Sequence, residues 1–169
     1  MVLAVNTEND AVVDSMVCTW QNGFDMISVD GVLYVTNPGI ADSTGDGGIE
    51  KMDIATGEIT TIIDEATLGG SPNQIVHKSG SRFYVTNYIG WGNVSVVEID
   101  AAAGTVVATI PGVKDAYGGI LYDDETDRLY VCESGAGSVG VLVYEENKLI
   151  AGPLSTDKTL PPTGMAIIR

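Results

Sequence analysis

Leu33-Tyr34-Val35-Thr36-Asn37 returns as Phe83-Tyr84-Val85-Thr86-Asn87 and, more loosely, as Leu129-Tyr130-Val131-Cys132-Glu133. Tyr34, Tyr84 and Tyr130 stand 50 and 46 residues apart, the period of a repeat built from one supersecondary unit. A Gly-rich stretch follows each copy, and then an alternating run: 48–54, 94–100 or 139–144. In the first two repeats this run ends in Asp53-Ile-Ala-Thr-Gly57 or Asp100-Ala-Ala-Ala-Gly104. An opening Asp bonds its own backbone and a closing Gly takes positive φ, which is hairpin chemistry. A fourth β-rich run follows at 58–63 and 105–110.

A further short run precedes each Tyr-Val motif, at 24–29, 73–77 and 118–122, and ends in Asp30-Gly31, Lys78-Ser79-Gly80 or the acidic turn 123–127. Each repeat therefore reads as four short antiparallel strands. Four strands in 40–50 residues is the pattern of a β-propeller blade. Helical periodicity of 3.6 residues is absent, which excludes a helical solenoid.

Composition agrees with an all-β chain. The 169 residues include 21 Gly and are 44% hydrophobic, too apolar for a disordered chain. No apolar run approaches the roughly 18 residues of a spanning helix. Eight Lys and Arg face 23 Asp and Glu, a formal charge of −15, so nucleic acid and anionic bilayers are poor partners. Cations or basic proteins are favoured instead, through a field that salt screens. Met1 to Asp10 shows neither a basic n-region nor a long apolar h-region, so no secretory signal is expected there. That leaves a cytoplasmic protein or a mature piece of an exported one.

The Tyr-Val-Thr-Asn copies, with the run from Val94 to Pro111 (VSVVEIDAAAGTVVATIP), resemble the YVTN family of β-propeller repeats. The resemblance covers nearly the whole chain. It departs at Cys132-Glu133, where Thr-Asn is expected, and at the longer loop after Asn37. It implies a propeller related in shape to lactonase-like and quinoprotein-like proteins, with a periplasmic, secreted or cell-surface setting. The motif residues build blades, so the resemblance bears on architecture more than on activity.

The expected organisation is the last two strands of a broken blade at 1–22, blades at 23–70, 71–115 and 116–161, and a first strand of another broken blade at 162–169. Gly164-Met165-Ala166-Ile167 is the copy of Gly118-Gly119-Ile120-Leu121 on which that last strand rests. Rings of such blades usually have four to eight. Three arrangements fit: part of a longer propeller, two copies completing one ring, or a four-bladed ring closed within one chain. An open arc exposes strand edges and blade faces, so a homo-oligomer or a larger parent is expected.

Propeller ligand sites gather where second-to-third-strand loops and blade-to-blade connections emerge together. Here those are 37–47, 87–93 and 133–138, with 19–23, 64–72, 113–117 and 155–162. Trp20, Trp91, Tyr88 and Tyr117 fall in this set. Such rings either bind a protein or glycan partner, or plug the channel or pack between blades. Asn37, Asn87 and Glu133 hold one equivalent position and form either a polar ring around the channel or caps on the second strands. Asp42 and Asp46, on the Gly-rich turn 42–48, are a candidate calcium site, although the EF-hand spacing is not met. His77 is expected near the channel, without an identifiable catalytic partner. Cys18 and Cys132 read as buried thiols, with a disulfide open only in an oxidising compartment. Asn93-Val94-Ser95 is a glycosylation sequon. Two functions remain: a non-catalytic binding or scaffold propeller, and a metal-assisted lactonase- or quinoprotein-like enzyme.

Overall fold

Alternation within the repeated motif sends successive side chains to opposite faces of each strand, and the core is built on that period. The computed structural model describes residues 1–40, 45–155 and 160–168. A two-stranded sheet, β1 (Val2–Asn6) and β2 (Ala11–Met16), precedes three four-stranded antiparallel sheets. The first is β3 (Asp25–Val29), β4 (Val32–Asn37), β5 (Gly48–Asp53) and β6 (Ile59–Asp64). A single helical turn, α1 (Glu65–Leu68), leads to the second: β7 (Ser71–Ser79), β8 (Arg82–Gly90), β9 (Asn93–Asp100) and β10 (Thr105–Thr109). The third is β11 (Ile120–Asp123), β12 (Arg128–Glu133), β13 (Gly140–Glu145) and β14 (Lys148–Leu154). Each sheet runs in chain order, as a meandering blade does.

Successive blades stack through the two faces of the motif strands. Leu33 and Val35 face the two-stranded sheet, packing with Val2, Met16 and Met52. Tyr34 points the other way, into the layer of Phe83, Val85, Ile49 and Ile75 between the first two full blades. Tyr84 enters the next layer, with Leu129, Val131, Val96 and Tyr144. Burial of each such side chain contributes about 1.5–3 kcal/mol before entropy is counted.

The motif threonines seat the inner strands. Thr36 Oγ1 accepts the Asp25 N–H at 3.1 Å, and Thr86 Oγ1 accepts that of Gln74 at 2.8 Å. Thr36 also donates its hydroxyl to the Asn73 carbonyl of the following blade. Two side chains cross between inner strands in the same sense. Asp25 Oδ2 accepts the Ile75 N–H at 3.1 Å, and Gln74 Oε1 accepts the Ile120 N–H at 3.0 Å. In the third copy Cys132 replaces Thr, and its thiol is bonded by the Gly164 amide. Burial pushes that thiol above its usual pKa. Cys18 and Cys132 are both free.

The strand expected within 162–169 is not formed: residues 161–168 are irregular. An inner strand needs a second strand to pair with, and none lies beside it among the described residues. The segment nevertheless lies against the third blade, with the Pro162 carbonyl next to Gly118.

Candidate binding face

The blades have two unlike ends. At one end tight turns are closed by acids: Asp53 accepts from the Ala55 and Thr56 amides, both at 2.9 Å. Asp100 does the same for Ala102 and Ala103, at 3.0 and 3.2 Å. These amides hold both carboxyls below the usual Asp range, helped at Asp100 foremost by the Ser81 hydroxyl. The acidic turn 123–127 is another hairpin turn at this end, with Asp123 Oδ2 accepting the Thr126 hydroxyl at 2.6 Å. His77, on the inner strand β7, lies toward this end. Its Nε2 lies 3.0 Å from the Gly80 carbonyl and its ring packs 5.0 Å from that of Phe83.

The other end carries the loops. Trp91 stands 92% exposed at the tip of the β8–β9 hairpin. Tyr117, also exposed, follows Ala116, whose N–H donates to the carbonyl of Val94 near the turn of that hairpin at 2.8 Å. Asn93 is exposed on the same hairpin. Trp20 behaves differently: it is half-buried, with its indole nitrogen over Gly48. Tyr88 is half-buried, packed against the layer between the second and third blades.

Asn37, Asn87 and Glu133 are fully enclosed and hold local structure. Asn37 Nδ2 donates to Glu50 Oε2 at 3.2 Å, and Asn87 Nδ2 donates to the Leu68 carbonyl at 3.0 Å. Glu133 accepts from the amides of Lys114, Asp115 and Gly135, at 2.8, 3.0 and 2.6 Å. All three lie on second strands rather than inner ones, and the contacts are those of loop-fixing caps.

An open cleft of about 750 Å³ lies at this end, between the first two full blades. The segment 38–40 and Gly45 form one wall, Tyr88–Gly90 the other, and α1 with Ser71 the floor. Asn22 and Asn73 also line it. Glu65, 6% exposed, organises the floor. Its Oε2 accepts the Gly45 and Gly47 amides at 2.8 and 3.2 Å, and its Oε1 accepts the Ser71 hydroxyl at 2.5 Å. Gly47 is required there, because a Cβ would lie 2.8 Å from the Glu65 carboxyl carbon. Glu65 lies in the blade-to-blade connection 64–72, and no sequence motif singles it out. The available signal was Asp64 capping α1 at the Thr67 N–H, 2.8 Å, with Gly69 in the left-handed region closing it.

Of the calcium candidates, Asp42 lies outside the described residues. Asp46 accepts the Ile40 N–H at 3.2 Å. Among the described residues no three His, Cys, Asp or Glu side chains form a metal cluster.

Neither a family model nor a curated protein matches this chain. Solved structures do. The chain matches a crystal structure of a nidogen/laminin complex at TM-score 0.50 and 21% identity, over 76% of this chain and 46% of that one. The fold is that of a β-propeller. A calcium-binding protein, regucalcin, from Agrobacterium tumefaciens matches at TM-score 0.47 and 22% identity, over 72% and 41%. This propeller chain spans less than half the length of either structure. No helix among the described residues is long and apolar enough to cross a membrane.

Proposed function

We propose that this chain forms part of a YVTN-type propeller that binds a protein partner, without catalysis, through its loop end, in an exported or cell-surface setting. The observation that carries this reading is the exposure of Trp91 at the tip of the β8–β9 hairpin and of Tyr117 next to Ala116, which is bonded to that hairpin, with exposed Ile40 and Ile89 on the walls of the adjacent cleft. Large aromatics on rigid supports supply binding energy at low entropic cost, and Trp and Tyr dominate protein hot spots. A glycan is the alternative occupant of the same face.

The test is to purify a partner captured from the source organism's envelope and titrate it against wild type and Trp91→Ala. Trp91→Ala is expected to weaken binding by at least about 2 kcal/mol. Equal affinity for wild type and variant rejects the loop-end interface. Ring completion by further blades or by a second copy belongs to the same proposal. Light scattering across a dilution series separates a stable dimer from a monomer.

One observation favours the metal-assisted enzyme instead: Asn37 Oδ1, Asn87 Oδ1 and Asp46 Oδ1 are buried acceptors without a partner among the described residues. Oxygen acceptors suit a hard cation. Metal analysis after gentle purification and a calcium titration of thermal stability test this reading. No bound divalent ion and no shift in Tm reject it.

A further inference from the structure

Buried carboxylates are ordinarily paired with a cation or enclosed by donors. Glu98 has its cations, Lys78 at 3.3 Å and Arg82 at 3.0 Å. Glu50 and Glu133 are sealed off, each 0% exposed. Glu65 differs from all three, because it is buried, lines open space, and has only neutral donors, with no Lys or Arg within ion-pair distance among the described residues. Among the described residues its Oε1 accepts a single hydrogen bond, from Ser71, and keeps acceptor capacity. Asn22 spends its amide nitrogen on the Gly39 carbonyl at 3.2 Å, which leaves its oxygen as a second acceptor at the cleft. Among the described residues Glu65 is the one charged side chain in the lining, and the chain carries −15 overall. An anionic ligand would meet no counter-charge there.

We propose that this cleft receives a guanidinium group, the side chain of an arginine on the partner, with Glu65 as its counter-charge and Ile40 and Ile89 flanking its stem. Arginine fits better than lysine because its head is weakly hydrated and offers several donors at once to the acceptors Glu65 Oε1 and the Asn22 side-chain oxygen. Its aliphatic stem suits the apolar walls, Pro38, Ile40 and Ile89. The inference rests on the protein-binding reading for the identity of the partner, but the cleft's preference for guanidinium is measurable without one.

The experiment is an NMR titration of the purified chain with argininamide, with citrullinamide as the uncharged isostere. Argininamide is expected to shift amides of 45–47, 65–71 and 88–90, and citrullinamide to leave them unmoved. Glu65→Gln keeps an oxygen for the Gly45 and Gly47 amides and is expected to weaken binding by about tenfold. Gly90→Phe blocks the wall; a Cβ there meets nothing within 4 Å, and binding should be lost with the fold intact. Asp53→Asn, at the opposite end, is expected to change nothing. Equal responses to both probes, shifts spread over the acidic surface, or a Glu65→Gln effect no larger than that of Asp53→Asn would each overturn the proposal. Specific argininamide binding alongside a partner indifferent to Trp91→Ala would reject the loop-end interface alone and leave the guanidinium site standing.

Discussion

Glu65 and Glu133 do the same work from opposite sides of a loop. Glu133 reaches up from the end of β12 and pins both the loop that follows it, through Gly135, and the incoming connection, through Lys114 and Asp115. Glu65 sits on the connection itself, in α1, and reaches across to the β4–β5 loop at Gly45 and Gly47. When the acid lies on the strand, loop and connection converge on it and it is sealed off. When the acid lies on the connection, the loop is held at arm's length and a cleft of about 750 Å³ stays open beside it. The same ionic anchor thus yields a closed cap in one blade and a binding cleft in another, according to the element that carries it.

The largest expected effect that tests this comparison is Glu133→Ala. Three amides would lose their acceptor in a fully enclosed site, and stability should fall by about 3–5 kcal/mol in urea unfolding. Glu133→Asn, which restores the residue of the other two copies, should cost less. A loss below about 1 kcal/mol for Glu133→Ala would mean the cap is not what closes that loop.

Glu65→Ala should cost about 2–3 kcal/mol, because water in the open cleft can satisfy part of what the carboxylate leaves behind. Its local signature is faster hydrogen exchange at Gly45 and Gly47. Equal losses for the two alanine variants, with no exchange change at Gly47, would erase the distinction between cap and cleft.

A smaller effect comes from Glu98, which ties the second blade to the third without bordering either loop. Burial works to raise its carboxyl pKa, but the Asn147 amide, Lys78 and Arg82 outweigh burial and hold it below the usual Glu value. Asn147 also takes the Tyr84 hydroxyl at 2.8 Å, so the bond spans the blade interface. A depressed folded pKa contributes stability that is present above the unfolded value and lost as pH falls through the folded one. Wild type should therefore be more stable than Glu98→Gln at neutral pH, and the gap should shrink in acid below the ordinary Glu pKa of about 4.3. A gap that stays constant from pH 7 to pH 3 would show that the acid acts by packing rather than by charge.

Much of the scaffold was legible because a strand's face is a local property. Tyr34, Val35 and Thr36 alternate between two layers and an inner-strand bond whatever else the chain does, and the turn acids Asp53 and Asp100 bond amides two and three residues on. The candidate site was less legible. Trp91 and Tyr117 are exposed at the loop end, and the register of β7 sets His77 opposite Phe83. Glu65 carried no motif, since nothing within its own sequence neighbourhood tells which loop its carboxylate will meet.

Repeat spacing and two-residue alternation therefore determined the blades, their strand order and their turns, since each depends on residues close in the chain. Tertiary structure alone decided the roles of the buried acids. Gly47 and Glu65 are 18 residues apart, and Lys114 and Glu133 are 19, and they meet only because a whole sheet edge intervenes and returns. Whether such a meeting seals a loop or leaves a cleft depends on how neighbouring blades pack, which the chain specifies only as a folded whole.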